Sequence, residues 1–192
     1  MLTDADIHYI RENYRPLAEV CAEHGDRLEA VEALIREGRL PAPSYVLPDG
    51  TGMVPEDYFS LVDEAGGPQR LRGEFERRHR EAGGPPGELE ADWEGYIDGI
   101  YAVCLRSVSP ERIVRKEQLV VSIGLLLEHP QPQDRRWRER LAREVDELDE
   151  LEREFSPDYD RQRFGRAPTR DRLIVAARER YPDLFAVGSH GR

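Results

Sequence analysis

Residues 134–155 read DRRWRERLAREVDELDELEREF, and this stretch decides the fold class. Trp137, Leu141, Val145, Leu148, Leu151 and Phe155 recur at intervals of three and four, the spacing that puts side chains on one face of an α-helix. The positions between them are mostly charged. A half-buried strand would instead alternate with period two. The stretch therefore predicts a helical rod from Asp134 to Phe155 whose apolar stripe packs on a bundle.

Working outward, His129-Pro130-Gln131-Pro132 breaks the chain before this rod, and helices are expected over Pro110 to Glu128, Glu88 to Ser107 and Gln69 to Ala82. Gly83-Gly84-Pro85-Pro86-Gly87 separates the last two. Downstream, a short turn near Pro157 to Gln162 precedes a helix over Thr169 to Tyr181. At the other end, Thr3 and Asp6 form a capping-box-like start for a helix over Asp4 to Asn13. Pro16 suits the first turn of a second helix, which His24-Gly25 stops, and Asp26 can cap a third that ends at Gly38. Tyr45-Val46-Leu47 and Met53-Val54 flank Pro48-Asp49-Gly50-Thr51-Gly52 and read as a small hairpin. A further helix opens at Pro55-Glu56, and Gly66-Gly67-Pro68 closes the segment. The expected fold is mostly α: an N-terminal segment of residues 1–66 holding short helices and the hairpin, then a helical bundle of residues 67–192.

The 192 residues are 39% hydrophobic and 35% charged, with the apolar ones in stripes, so the chain should fold. The most apolar window, Leu119 to Leu127, is too short to span a bilayer, and no basic region followed by an apolar one opens the sequence. Neither secretion nor membrane insertion is expected. Cys21 and Cys104 lack a CxxC spacing and read as reduced thiols of a cytoplasmic protein. Twenty-seven arginines stand against the single Lys116, a coding bias of the kind a GC-rich bacterial genome produces.

Two resemblances follow from particular strings. Leu17 to Leu61, with "EALIREGRLPAP", the hairpin and "VPEDYF", resembles a winged helix-turn-helix of the mercury-resistance-regulator and excisionase type. "PSYVLPDGTGMVPEDYF", "DWEGYIDGIYAVCL" and "FSPDYDRQRFGRAPTRDRLI" resemble an uncharacterised bacterial family labelled natural product biosynthesis proteins. That second resemblance implies a pathway and carries over no reaction, cofactor or catalytic residue.

Charge speaks against the function the first resemblance implies. Residues 1–66 hold five basic and fourteen acidic residues, about −9, whereas residues 67–192 hold 23 and 25. Phosphate neutralisation needs the opposite sign, and Glu29, Glu32 and Glu37 fall on the helix that would read bases. No nucleic acid is expected as a partner.

Four residues are candidates for chemistry. Asp92, Tyr96 and Tyr101 lie along the helix around Trp93, where Gly95 and Gly99 at helical spacing leave room for another backbone or a ligand. Close packing with Trp93 in the core is the plainer reading. Lys116 shares a stripe with Ile113, Val120 and Ile123, so it is either an amine of lowered pKa or, more simply, a snorkelling surface residue. Arg161, Arg163, Arg170 and Arg172 form a basic loop suited to an anion, although interleaved acids such as Asp160 and Asp171 would more simply pair with them. Glu76-x-x-His79 has the spacing of a di-iron ligand pair but no second copy, and His79 reads as one polar residue in the charged run Glu74 to Glu81. Neither a metal nor a cofactor is expected.

The leading expectation is an accessory or partner-binding protein of a natural product pathway, its partner another protein or a small-molecule intermediate. The rivals are a small enzyme with a pocket between the two halves, using Asp92, Tyr96, Tyr101 or Lys116, and a transcription regulator.

Overall fold

The computed structural model describes residues 1–165 and 167–185, and it is mostly α-helical with one small sheet. Helix α1 (Asp4–Asn13) begins at the capping box read from the sequence, Thr3 and Asp6 each accepting from the other's backbone N–H. Asp6 does more than cap. Its carboxylate, fully buried, also accepts from the backbone N–H groups of Asp158 and Tyr159 at 3.0 Å, tying the first helix to α10 (Tyr159–Phe164). Burial favours the neutral acid, but these bonds and those from Thr3 outweigh it and hold the Asp6 carboxyl well below the usual carboxylate range. Its contribution to stability is complete above the unfolded pKa near 4 and is lost as pH falls through the lower folded value. Asp6→Asn should therefore cost about 1–3 kcal/mol at pH 7, where donors lose their charged acceptor. Urea unfolding should show this deficit shrinking below about pH 4. A deficit that stays constant with pH would mean that the charge of Asp6 is not the cause.

The N-terminal part continues with β1 (Arg15–Pro16), α2 (Leu17–His24), α3 (Leu28–Arg36), β2 (Tyr45–Val46), β3 (Gly52–Val54) and α4 (Ser60–Ala65). The expected hairpin is present. Tyr45 faces Met53, the Asp49 side chain accepts from Thr51 N–H at 2.9 Å, and Gly50 takes the left-handed φ of 88° the turn requires. Pro16 departs from expectation: its φ of −57° and ψ of 130° are extended, and it pairs with Met53 in an edge strand, so the sheet has three strands in the order β1-β3-β2. An edge position suits a residue with no N–H to donate. Asp26 does not cap α3, whose N-cap is Arg27; it pairs with His24 instead. The helix expected from Pro55 starts five residues later, at Ser60.

The bundle comprises α5 (Leu71–Glu81), α6 (Leu89–Ile97), α7 (Tyr101–Cys104), α8 (Pro110–Glu128), α9 (Arg135–Leu151), α10, a π-helical turn (Arg170–Val175) and α11 (Ala176–Arg180). Helices α8 and α9 form an antiparallel hairpin, since Arg115 pairs with Glu147, Ser122 with Glu144, and Trp137 donates to the Leu126 carbonyl. Leu119, Ile123, Trp137, Leu141, Val145 and Leu148 fill its seam. The long stripe thus packs as read, but the helix stops at Leu151. Glu152 turns extended and pairs with Leu105, Arg106 N–H bonding Leu151 O and Arg153 N–H bonding Cys104 O.

One apolar cluster runs through both parts of the chain, from Val31, Leu40, Tyr58 and Leu61 to Phe75, Tyr96, Leu105 and Ile113. The helix expected over Glu88 to Ser107 is broken where it meets this cluster. Gly99 adopts a φ of +69°, ending α6, and α7 starts afresh at Tyr101. Gly95 and Gly99 consequently do not share a helix face.

Candidate functional site

Helix α5 buries Leu71, Phe75 and His79 at four-residue spacing, so its inward face ends in a histidine that is completely covered. His79 is a core residue, not a member of the solvated charge run. Its neighbour in the motif, Glu76, turns outward to Arg72, and the two do not act as a ligand pair. The ring lies so close to the backbone of Gly84 that a Cβ there would come within 2.2 Å of it. That close approach explains a glycine in the loop after α5.

His79 Nε2 is 2.9 Å from Asp92 Oδ2 on α6, and the other carboxylate oxygen of Asp92 accepts from the Tyr101 hydroxyl on α7. Three consecutive helices thus contribute one residue each to a buried His79–Asp92–Tyr101 chain. His79 Nδ1, on the other side of the ring, is buried and has no hydrogen-bond partner among the described residues. Burial first, and the Asp92 carboxylate second, push the Tyr101 phenol far up, so it stays protonated and keeps donating.

On the other side of Tyr101 lies a second cluster. Lys116 of α8 is 7% exposed, its Nζ 3.2 Å from Cys104 Sγ and 3.7 Å from Glu152 Oε1. The snorkelling reading is therefore corrected. The stripe with Ile113 and Ile123 turns fully inward, and the ammonium finds its counter-charge inside. So is the lowered pKa: burial disfavours the ammonium, but the Cys104 sulfur and Glu152 outweigh it and push Lys116 upward. Burial pushes the Cys104 thiol up, and it pushes Glu152 up in spite of Lys116.

Two openings flank Tyr101. A half-open cleft of about 770 Å³ runs along α8, lined by the polar side chains of Glu88, Asp92, Tyr101, Glu117 and Arg140 and by the apolar ones of Val114, Val121 and Leu125. Val121 and Leu125, one turn apart on α8, are 62% and 53% exposed and so form an apolar strip open to solvent. A smaller cavity of about 210 Å³ is lined by Tyr101, Cys104, Lys116, Phe155 and Phe164. Between the N-terminal segment and the bundle, the space where Tyr96 and Tyr58 meet Pro41 is about 20 Å³, room for little more than a water, while an open, polar groove of about 540 Å³ lies between Glu12, Asn13, Glu56 and Asp57 on one side and Arg106, Ser107 and Arg153 on the other.

Of the four candidates, then, Asp92 and Tyr101 are bonded, Lys116 joins them across Tyr101, and Tyr96 stands apart in the aromatic core with Phe75 and Trp93. The anion-site arginines are taken up by the fold. Arg161 pairs with Asp171, Arg163 donates to Ser44 O at 2.9 Å, and Arg170 pairs with Asp149, while Arg172 is exposed. Three of the four therefore fasten α10 and the following turn and do not converge on a shared anion site.

The sequence reading places His79 in a charged run and Cys104 only among reduced thiols, and it passes over Glu152, although two of the three carry a signal. His79 continues the Leu71–Phe75 spacing, and Glu152 continues the spacing of Leu141, Val145 and Leu148. Cys104 sits in the apolar run Tyr101 to Leu105 and had none.

The fold and site define a helical-bundle protein with a buried polar chain beside an apolar cleft. The chain belongs to the family of unknown function DUF6058, which matches residues 70–182 and so contains every residue of both clusters. No curated protein and no solved structure matches the chain.

Proposed function

We propose that the protein is an accessory factor of a bacterial natural product biosynthesis pathway that holds a small-molecule intermediate in the cleft along α8 and does not bind DNA. The cleft carries this reading. Its 770 Å³ falls within the range of small-molecule sites, roughly 300–1,000 Å³, and its apolar wall beside a few fixed polar groups is the usual composition of one. The acids Glu88, Asp92 and Glu117 in its lining suit a ligand with an amine or hydroxyl on an apolar body.

The groups around the cleft suit holding more than catalysis. A general acid or base works best with a pKa near the operating pH, and Tyr101, which lines the cleft, has its phenol pushed far above that range. Glu29, Glu32 and Glu37 are exposed on and beside α3, which supports the absence of DNA binding on electrostatic grounds.

Native mass spectrometry of the protein recovered from a host expressing the pathway tests the reading. A small-molecule adduct is expected, lost in Val121→Arg, which places a charge on an exposed wall residue without touching the core. If the wild type carries no adduct, or if Val121→Arg retains it unchanged, the cleft is not the site.

A further inference from the structure

We infer that Cys104 and Lys116 are an oxidative modification site, at which hydrogen peroxide converts the contact between thiol and amine into a direct sulfur–nitrogen bond. The placement is specific. In a chain with 27 arginines the one lysine is buried, and its Nζ lies 3.2 Å from one of only two sulfhydryl groups. Both side chains border the 210 Å³ cavity, which is large enough to admit peroxide to sulfur. An arginine here would keep the charge, but its guanidinium is a poor nucleophile and is not deprotonated in proteins.

The chemistry balances with one oxidant. Cys104 sulfur attacks a peroxide oxygen, the O–O bond breaks, and the departing hydroxide takes the thiol proton and leaves as water, so that the thiol becomes a sulfenic acid. Sulfenic acids condense with a neighbouring nitrogen. Here Lys116 passes one proton to Glu152, whose Oε1 is 3.7 Å from Nζ, and its nitrogen then attacks sulfur. The S–N bond forms, the S–O bond breaks, and the departing hydroxide takes a second proton from nitrogen and leaves as water. Glu152 ends as a neutral acid beside a neutral sulfenamide, so no charge is left buried alone. Burial already pushes Glu152 up, which favours its keeping that proton. Two equivalents of a thiol would reverse the reaction, giving back the cysteine and the amine with one disulfide. Cys21 is the internal reference, since it is buried among Leu17, Val20 and Val31 and has no second lysine to meet.

The full-length protein is treated with hydrogen peroxide, digested with trypsin without reductant and mapped by mass spectrometry. The expected product joins the Cys104 peptide to the Lys116 peptide at the sum of their masses less two hydrogens. Cleavage after Lys116 should be lost, and dithiothreitol should restore both peptides. Cys104→Ser should abolish the product, and in Lys116→Arg a sulfenic-acid trap should capture Cys104 instead. The wild-type map decides the matter even if Lys116→Arg folds poorly. Recovery of Cys104 as sulfinic or sulfonic acid, as an unlinked sulfenic acid, or unmodified would overturn the inference.

Discussion

Replacing Lys116 with methionine is expected to cost about 3–5 kcal/mol, because it strands the Glu152 carboxylate in the interior with its partner removed. Methionine nearly matches lysine in length, so packing alone does not account for a loss of that size. Glu152 is 2% exposed and Lys116 is its one ion-pair partner among the described residues. The pH dependence identifies the cause. Glu152 is already raised above the usual carboxylate range in the native protein, and without Lys116 it rises further. A carboxyl raised in the folded state favours folding below its unfolded pKa, and that advantage disappears as pH rises through the folded value. The Lys116→Met deficit should therefore be small near pH 4 and complete by pH 8, as read from urea unfolding midpoints. Lys116→Met combined with Glu152→Leu should recover most of the loss, since replacing both members of a buried pair is often neutral. A double variant as unstable as the single one would assign the loss to packing.

Gly99→Leu is expected to be comparably damaging at the seam between the two parts of the chain. A Cβ at Gly99 would stand 2.4 Å from the carbonyl oxygen of Ala42, a backbone atom that cannot swing aside. The positive φ adds about 1–2 kcal/mol for any L side chain, and overpacking adds about 1–3 kcal/mol. Even Gly99→Ala should lower the melting temperature clearly. Gly73 provides the opposite sign. It lies within α5 with open space around its Cβ position, so Gly73→Ala should stabilise by about 0.5–1 kcal/mol. Equal effects of the two alanine variants would show that the Ala42 contact is not what requires glycine at 99.

The contrast between these two glycines shows what the sequence disclosed. Helix class, the capping box at Thr3, the hairpin turn at Asp49-Gly50 and the apolar stripe from Trp137 to Leu151 follow from local spacing and turn chemistry. Local signals do not tell a mid-helix glycine from one that ends a helix. Gly95 and Gly99 stand four residues apart, and only the strand of chain at Ala42, more than fifty residues earlier, decides that Gly99 turns left-handed. The site was legible in the same partial way. Asp92, Tyr101 and Lys116 were read from residue type, whereas their partners His79, Cys104 and Glu152 come from other elements. Lys116 was misread because charged neighbours Arg112, Arg115 and Glu117 outweighed the stripe of Ile113 and Ile123, although burial follows the stripe. Among the described residues of the arginine-rich loop only Arg161 pairs with an interleaved acid, Asp171, whereas Arg170 reaches Asp149 of α9 and Arg163 the Ser44 carbonyl.

The burial of the sole lysine also makes the molecule its own reporter. Bulky acylating reagents, and enzymes that attach carrier proteins or acyl groups to lysine, find no accessible side-chain amine on the folded chain, because Lys116 is 7% exposed. Acylation at Lys116 then requires α7 and α8 to part. In the limit of fast reclosing, its rate measures the free energy of that one opening, as amide hydrogen exchange does for a backbone group. Labelling kinetics read residue by residue in most proteins come here from a single side-chain amine, with no engineered probe.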